Sequence, residues 1–311
     1  MGFSRPEVQI FTPANIRRGL FFQFLASVSF AVMGAFVYYA HQLAPDASSL
    51  LASFVRVVVN LILLVGTAAA AGDLASLRGD GRSSLWLRGF FGGFSLVLSF
   101  AGIQAIGVAD SGFLHTTNAV FIAALSPMIL GQRNSWRVWL VVAVGLCGSW
   151  LLMHPRFNDG HDLGRIFALG SGFCAAIAYM MVSRAGKSNR PSTIIFYFCL
   201  VATMIHVVLL PFAQTTWPTD PYYWGALVIA GLAASVAQWF MTRGYQNAPA
   251  TLNSLMGYSS PVVSLIISCV IFAKVPDEQS LFGAAIIIIC GMILPFMARE
   301  VKRPRSEDFA A

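Results

Sequence analysis

Positive charge is distributed unevenly along this chain, and the distribution sets the architecture. Ten apolar segments separated by short polar loops can be marked on the sequence, and most Lys and Arg residues fall in alternate loops. Loops that remain in the cytoplasm keep an excess of Lys and Arg during membrane insertion. If the N-terminus is cytoplasmic, sixteen of the 20 Lys and Arg residues lie inside and three outside, which supports both the segment number and the orientation.

The ten predicted segments cover residues 19–42, 48–71, 89–106, 111–131, 138–153, 165–183, 193–211, 222–242, 251–272 and 281–298. The inside residues are Arg5, Arg17, Arg18, Arg78, Arg82, Arg88, Arg133, Arg137, Arg184, Lys187, Arg190, Arg243, Arg299, Lys302, Arg303 and Arg305. The outside residues are Arg156, Arg165 and Lys274. Arg56 lies within a segment.

The composition fits a chain that lies mostly in lipid. Only 11% of the residues are charged, whereas a soluble domain carries about 25%. Each spanning helix needs about 20 apolar residues, so ten helices use about 200 residues and leave only short loops. Lipid accepts only helices or closed barrels, and the apolar runs lack the alternation of barrel strands. We therefore predict an all-α polytopic protein of the inner (plasma) membrane with both termini cytoplasmic.

Several functional classes do not fit the sequence. The net charge of +7 would suggest nucleic-acid binding in a soluble protein, but here the basic residues act as topology signals. The motifs HExxH, GxxxxGK[ST] and GxSxG are absent, which argues against the enzymes that use them. We predict no enzyme activity, no cofactor and no metal site. Transport would be passive or coupled to a proton or another ion.

The two halves of the chain show an internal repeat. At an offset of 142 residues, three matches are Gly102 with Gly244, Gln104 with Gln246, and Ser126 with Ser268. At an offset of 145, residues of the first segment match residues of the sixth. Because five helices per unit is an odd number, the second copy inserts upside down relative to the first. Inverted repeats are typical of carriers that work by alternating access around a site at the repeat interface.

Five stretches resemble the two EamA repeats of the drug/metabolite transporter superfamily. They read SFVRVVVN, TTNAVFIAALSPMILGQR, WRVWLVVAVGLCGSWLLMHP, YSSPVVSLIISCVIFAK and LFGAAIIIICGMILP. The resemblance implies a cytoplasmic tail over 1–18, a first five-helix repeat over 19–153 and an external linker over 154–164. It further implies a second repeat over 165–298 and a cytoplasmic tail over 299–311.

Two departures from the family pattern concern the fourth helix of each repeat, which in relatives usually has an early Pro and ends in Gly-Glu. The second repeat keeps Pro261, but the first has Ala119 in its place. Gln132 and Lys274 occupy the acidic positions. If those glutamates cap helices in relatives, we expect that role to be lost here.

Arg56 is the sharpest candidate for a functional residue. Eight residues into its segment, it lies about 12 Å deep at 1.5 Å per residue. An arginine near the bilayer centre costs about 2.5–3.5 kcal/mol on insertion scales and therefore faces protein or water. It either balances the charge of an anionic substrate group or serves a structural role between helices. Asn60 lies one turn later on the same face.

Polar residues in both repeats are candidates for a substrate cavity near the bilayer centre. In the first repeat, His115, Thr117 and Asn118 form either a substrate-binding or proton-linked cluster or a set of helix caps. In the second repeat, hydroxyl groups precede Pro261 and are predicted to meet that cluster. The further candidates are Gln104, Tyr179, Gln238, Trp239, Tyr258, Ser259 and Ser260. His206, isolated in its segment, is predicted to be a hydrogen-bonded core residue.

The resemblance implies a secondary transporter of a small organic metabolite, with an exporter of amino acids or related compounds as the favoured reading. Its partners are then the substrate and the lipid bilayer, without nucleic acid. One alternative is uptake of a nucleotide-like or cationic metabolite such as S-adenosylmethionine. Another is a non-transporting membrane scaffold or receptor, against which the short predicted tails argue.

The charge distribution makes the topology testable. A reporter fused after residue 298 should report a cytoplasmic location, and one inserted within 157–162 should report the opposite side, because fifteen of the other Lys and Arg residues hold the remaining inside loops in the cytoplasm. Paired phosphatase and fluorescent-protein reporters measure both locations. A periplasmic C-terminus would rule out the ten-segment arrangement.

Overall fold

The computed structural model of the chain describes residues 11–156, 162–213, 215–273 and 275–297. Within these ranges it is helical and contains no strand, which confirms the predicted all-α class. The helices are α1 (Pro13–Leu43), α2 (Ser49–Ala70), α3 (Ser83–Thr116), α4 (Asn118–Leu130), α5 (Trp136–Met153), α6 (Asp162–Ala185), α7 (Pro191–Leu209), α8 (Pro221–Asn247), α9 (Ala250–Met256), α10 (Ser259–Phe272) and α11 (Glu278–Met297). Two 3-10 helices cover Leu74–Arg78 and Leu210–Phe212.

In the part of the chain that the structure describes, nine helical runs are long and apolar enough to cross a membrane. The longest, Ser83–Leu130, is not straight, because Gly107 has φ +83° and ψ 170°. The Ser111 hydroxyl lies 3.3 Å from the Ser99 carbonyl oxygen, whereas twelve residues of straight helix would separate these positions by about 18 Å. The chain therefore reverses at Gly107. The number of ten crossing helices, which counts 89–106 and 111–131 separately, stays a prediction.

The helix ends follow from local sequence. Thr12, Ser48 and Asp220 precede helices, and their side-chain oxygens accept backbone N–H groups of the first turn, which satisfies donors that have no partner within the helix. Proline begins α1, α7 and α8, where its fixed φ suits the first helical position. At the other end of α4, Gly131 adopts a left-handed conformation, the usual stop for a helix.

The contacts between helices repeat across the two halves. The most extensive pairs are α3 with α6 and α1 with α8; because α1 corresponds to α6 and α3 to α8, these are the same contact seen twice. Contacts of α2 with α8 are mirrored by α7 with α3, and those of α1 with α10 by α6 with α4. We call α1, α2 and α8 group I, and α3, α6 and α7 group II. Each group contains helices from both repeats, so the repeats are intertwined and are not two separate halves.

Close glycine contacts show the same relation at the level of single residues. A Cβ on Gly89 in α3 would lie 2.9 Å from the Val201 Cβ in α7, and a Cβ on Gly231 in α8 would lie 2.7 Å from the Val59 Cβ in α2. Both members of the second pair are displaced by 142 residues from those of the first, taken in opposite order along the chain. Two equivalent contacts at one offset support a pseudo-two-fold relation between the repeats.

A second glycine pair carries the relation to the helix ends. A Cβ on Gly19 would lie 2.7 Å from the Ala248 Cβ, and one on Gly164 would lie 2.6 Å from the Ala105 Cβ. The first and sixth helices are related here by the offset of 145 that the sequence predicted. Ala248 precedes the short connection between α8 and α9, and Ala105 precedes Gly107. The reversal at Gly107 is therefore the counterpart of a connection between two helices.

Hydrogen bonds tie the two groups together at the predicted cytoplasmic end. The Ser188 hydroxyl donates to the Asp80 carboxylate at 2.6 Å, and the Asp80 backbone N–H donates to the Asn189 side chain at 3.0 Å. Partial burial raises the pKa of Asp80, but hydrogen bonds from Ser188, the Arg82 backbone and Asn189 outweigh it and place the pKa below its ordinary value. This carboxylate therefore stays ionised at neutral pH, and its contribution to stability is lost only as the pH falls through the lowered pKa.

The reversal at Gly107 can be tested by substitution. Gly107→Ala should destabilise the folded protein by about 1–3 kcal/mol, because this region of φ and ψ is essentially confined to glycine. The thermal unfolding midpoint of purified protein measures the effect. Gly66→Ala is the matched control, since a Cβ there meets no atom within 4 Å and alanine favours the helix. Equal midpoints for the two variants would contradict the strained turn.

Candidate functional site

A buried arginine that the sequence assigned to a loop lies inside the helix bundle. Because α3 begins at Ser83, and not at residue 89, Arg88 lies within the helix and is only 2% exposed. Its Nη2 donates to the Gln238 Oε1 in α8 at 3.2 Å, and its guanidinium lies 4.2 Å from the centre of the Phe198 ring in α7. The apolar residues before it, in the stretch SLWLRGFF, were the signal that the helix starts earlier.

Arg56 lies on the other side of the same interior. Its Nη1 contacts the Met33 sulfur in α1 at 3.2 Å, and its guanidinium lies 6.0 Å from the centre of the Phe100 ring in α3. The residue is half-buried. Among the described residues, neither Arg56 nor Arg88 forms an ion pair with an acidic side chain. A thioether, an amide and two aromatic rings are their recorded contacts.

Tyr179 and Gln238 belong to this arginine region, as the sequence predicted for a common cavity. Tyr179 interacts electrostatically with both guanidiniums, and its ring stacks on Tyr245 with centroids 5.2 Å apart. Gln238 is 8% exposed and accepts the hydrogen bond from Arg88. Helices of groups I and II thus meet through these side chains.

Asn60 and Trp239 line a different space, an apolar groove of about 280 Å³ between α2, α7 and α8. Its other lining residues are Leu63, Leu64, Thr67, Ile195, Ser235, Val236 and Phe240. Trp239 is 40% exposed and packs edge-on against Phe22 and Phe240. The groove is too apolar to select a charged group.

The predicted polar cluster of the first repeat bonds mainly to its own helix. The Thr117 hydroxyl donates to the Leu114 carbonyl at 2.6 Å, and the Asn118 Nδ2 donates to the His115 carbonyl at 2.8 Å. The His115 Nδ1 lies 2.9 Å from the Ser171 hydroxyl in α6. Such bonds are the usual local role of hydroxyl and amide side chains at helix breaks. These residues separate α3 from α4 and attach the break to α6.

The second repeat breaks at the matching place, between α9 and α10. Pro261 has no N–H to give the Gly257 carbonyl, and the Ser260 backbone N–H donates to it instead at 3.0 Å. The Ser259 hydroxyl donates to the Met256 carbonyl at 2.7 Å. Both repeats therefore contain a discontinuous helix. Broken helices of this kind surround the substrate site in several carrier folds.

Tyr258 lies away from the arginines. Its ring packs against Gly145 of α5, where an added Cβ would lie 2.7 Å from the ring, and it belongs to an apolar cluster with residues of α5 and α11. The described contact between the fourth and ninth segments is instead the Ser126 hydroxyl with the Thr251 hydroxyl, 3.2 Å apart. The predicted meeting of the two polar openings is not among the described contacts.

Two further residues complete the comparison with the sequence. Gln104 is exposed, three residues before the turn at Gly107, and lies apart from the arginine region. His206 has both ring nitrogens within hydrogen-bond distance of partners, the Ala202 carbonyl at 2.7 Å and the Ser53 hydroxyl at 2.9 Å. It is the satisfied core histidine that the sequence predicted.

The expected loss of a cap at Gln132 is wrong. The Gln132 Oε1 accepts the backbone N–H of Ala250, the first residue of α9, at 2.9 Å. An amide oxygen can accept this bond as a carboxylate does, so the capping contact survives without the charge. Lys274, the other departure from the family pattern, lies outside the described residues.

Comparison with known proteins agrees with this geometry. The sequence model of the EamA-like transporter family matches residues 17–154 and again residues 162–296. The chain is 26% identical over 279 residues to the pseudopaline exporter of Pseudomonas aeruginosa, covering 90% of this chain and 96% of that protein. It is 22% identical over 294 residues to the riboflavin transporter of Vibrio cholerae, covering 93% and 96%.

Two more matches complete the comparison. The chain is 25% identical over 227 residues to the S-adenosylmethionine uptake transporter of Rickettsia felis, covering 71% of this chain and 74% of that protein. A solved crystal structure superposes with a TM-score of 0.78 at 18% identity, covering 90% of this chain and 98% of that one. At this identity the structural likeness shows the fold alone.

The cap at Gln132 gives a testable prediction. Gln132→Ala should lower the free energy of unfolding by about 1–3 kcal/mol, because the Ala250 N–H is left without its partner. Gln132→Glu keeps an acceptor oxygen and should retain the wild-type thermal midpoint. Differential scanning fluorimetry of the purified protein compares the three. A Gln132→Ala protein as stable as wild type would show that the bond contributes nothing.

Proposed function

Because the chain belongs to the EamA-like transporter family, we propose that it is a secondary carrier that exports a small organic metabolite by alternating access. The family match over both repeats carries this proposal. The relative named as an exporter covers 90% of this chain and favours outward movement. Alternating access requires a site that faces each side in turn, and two inverted repeats supply two states of related structure.

The movement we propose is a rocking of group I against group II. The packing within each group is extensive and includes close glycine contacts, so each group moves as a unit. Between the groups the contacts in the interior are fewer and more polar, such as the Arg88–Gln238 hydrogen bond and the His206–Ser53 hydrogen bond. This replaces the predicted rocking of one repeat against the other, because each moving unit draws helices from both.

Uptake is the second candidate function, and the relatives named S-adenosylmethionine uptake transporters favour it. Purified protein in liposomes distinguishes the two directions and their substrates. Labelled amino acids, riboflavin and S-adenosylmethionine are loaded inside or supplied outside, with and without an imposed pH gradient. Counterflow of one compound above empty liposomes supports a carrier. Absence of counterflow for every compound, with a folded protein, would support a scaffold or receptor instead.

A disulfide between the groups tests the rocking movement. A Cβ on Gly186, after α6, would lie 2.5 Å from the Gln246 Cγ in α8, a separation close to what a disulfide needs. In a background without the five native cysteines, Gly186→Cys/Gln246→Cys should lose most counterflow on oxidation and regain it on reduction, because the disulfide holds the predicted cytoplasmic end closed.

The matched control joins two helices of the same group. A Cβ on Gly93 in α3 would lie 3.2 Å from the Ala202 Cβ in α7, so Gly93→Cys/Ala202→Cys should oxidise without stopping counterflow. Non-reducing electrophoresis measures the fraction cross-linked in each variant. Full counterflow in completely cross-linked Gly186→Cys/Gln246→Cys protein would rule out rocking between these groups.

A further inference from the structure

The interior of this helix bundle carries positive charge with no negative charge to balance it. Within α1–α11 the acidic residues are Asp110, Asp162 and Glu278, and all three lie at or near the predicted outer end. Asp110 already accepts the Arg156 backbone N–H at 2.7 Å. The guanidiniums of Arg56 and Arg88 therefore share an interior whose described helices contribute no carboxylate.

The present contacts of the two arginines leave much of their hydrogen-bonding capacity free. A guanidinium has five N–H donors and prefers planar acceptors such as carboxylates. Arg88 donates to the neutral Gln238 amide, and its buried Nε has no partner. Arg56 contacts a thioether sulfur, which is a weak acceptor. Each charge costs about 2.5–3.5 kcal/mol to place near the bilayer centre, and neither is repaid by an anion of the described chain.

The repeat relates the places of the two guanidiniums. Displacing Arg56 by 142 residues gives Phe198, the ring on which the Arg88 guanidinium lies. The same displacement relates Val59 and Val201, three residues further along α2 and α7, which make the equivalent glycine contacts. Arg56 is seven residues from the start of α2, and Phe198 is seven residues from the start of α7.

Because α2 and α7 run in opposite directions, the two guanidiniums lie at mirrored depths. Seven residues correspond to about 10 Å of helix, and the hydrocarbon core is about 30 Å thick. Each guanidinium therefore lies about 5 Å from the bilayer midplane, Arg56 towards the predicted outer side and Arg88 towards the cytoplasmic side. The half-buried Arg56 is accessible in this structure, whereas the 2% exposed Arg88 is not.

We propose that Arg56 and Arg88 are two alternate binding positions for one acidic group, a carboxylate, of the transported metabolite. The inference rests on the carrier function proposed above and assigns its substrate class, an organic acid or an amino acid with a free side-chain carboxylate. Arg56 binds the carboxylate when the site opens outward. Arg88 binds it when the groups rock to the inward-facing state, and the carboxylate then replaces the Gln238 amide, which belongs to the other group.

Ligand binding to purified full-length protein tests the substrate class independently of transport. Glutarate and citrate are the acidic probes, and glutaramide and lysine amide are the neutral and cationic probes. Stabilisation of the thermal midpoint by the acids alone supports the proposal. Equal or greater stabilisation by glutaramide or lysine amide overturns it, as does stabilisation by sodium chloride alone that the acids do not exceed at equal ionic strength.

Charge substitutions locate the binding positions. Arg56→Gln and Arg88→Gln should each weaken acid binding at least tenfold, about 1.4 kcal/mol, and Arg88→Lys should recover part of it. Arg82→Gln, whose side chain is 73% exposed outside the helices, is the matched control and should bind as wild type. Size-exclusion profiles identify variants that fail to fold. Unchanged acid affinity in both folded Gln variants contradicts the proposal.

Sidedness separates two alternate positions from one common site. In right-side-out vesicles Arg56→Gln should raise the KM for labelled glutarate at least tenfold, and in inverted vesicles Arg88→Gln should do so, each with a smaller effect from the opposite side. Equal effects from both sides would overturn alternation. If a neutral or cationic compound is transported regardless of either charge, the carrier function stands and the acidic substrate is excluded. If acids bind but nothing is transported, the substrate class stands as a ligand and the carrier function fails.

Discussion

Close contact between helices of different repeats is the constraint on which this fold depends. In lipid, apolar surface gains nothing by leaving its surroundings, so helices associate through tight packing at small residues. Gly89 and Gly231 allow α3 to approach α7 and α8 to approach α2 within a distance that a side chain would prevent. The same residues at the same offset make both contacts. Small residues in corresponding places therefore interlock the two repeats and create the two groups between which the interior opens.

The arginine region follows from this interlocking. α2, α3, α7 and α8 surround the interior, and each arginine reaches from one group to a side chain of the other: Arg88 from α3 to Gln238, and Arg56 from α2 towards Phe100. A long, flexible side chain can keep such a contact over small movements, but a rocking of several ångströms breaks it. Charges that bridge two moving bodies are thus placed where their partners must change, which is where a ligand can take over.

The sequence predicted the helical class, the segments and the repeat well, because these depend on apolar length and on offsets that survive in the chain. It was less informative about side-chain orientation. Thr117, Asn118 and Ser259 read as cavity residues, yet each donates to a carbonyl of its own helix, a local bond that hydroxyl and amide groups make whichever way the helix faces. Tyr258 was misplaced for a related reason, since an aromatic ring with a hydroxyl suits both a cavity and a packed core.

Arg88 was missed because a charge at the edge of an apolar run reads as the end of the helix. Hydropathy places the boundary at the first charged residue, whereas the helix itself begins at Ser83 and carries the arginine inside. Nothing local distinguishes the two cases except the apolar residues Leu85, Trp86 and Leu87 before it. The long side chain then brings the charge to Phe198, a partner more than a hundred residues away that only the packing of α3 on α7 supplies.

The two arginines are equivalent in place but not in environment, and this difference bears on the direction of the cycle. Arg88 has the Gln238 amide as a partner when it is buried, but the residue related to Gln238 by the offset of 142 is Leu96, which offers no acceptor. The reversed state, which would bury Arg56, therefore lacks the hydrogen bond that compensates Arg88 here, and a buried donor without a partner costs about 1–3 kcal/mol. An empty carrier accordingly favours the state in which Arg88 is covered. A ligand shifts such an equilibrium only by its difference in affinity for the two states, and a carboxylate provides that difference, because it supplies Arg56 with the acceptor that Leu96 lacks.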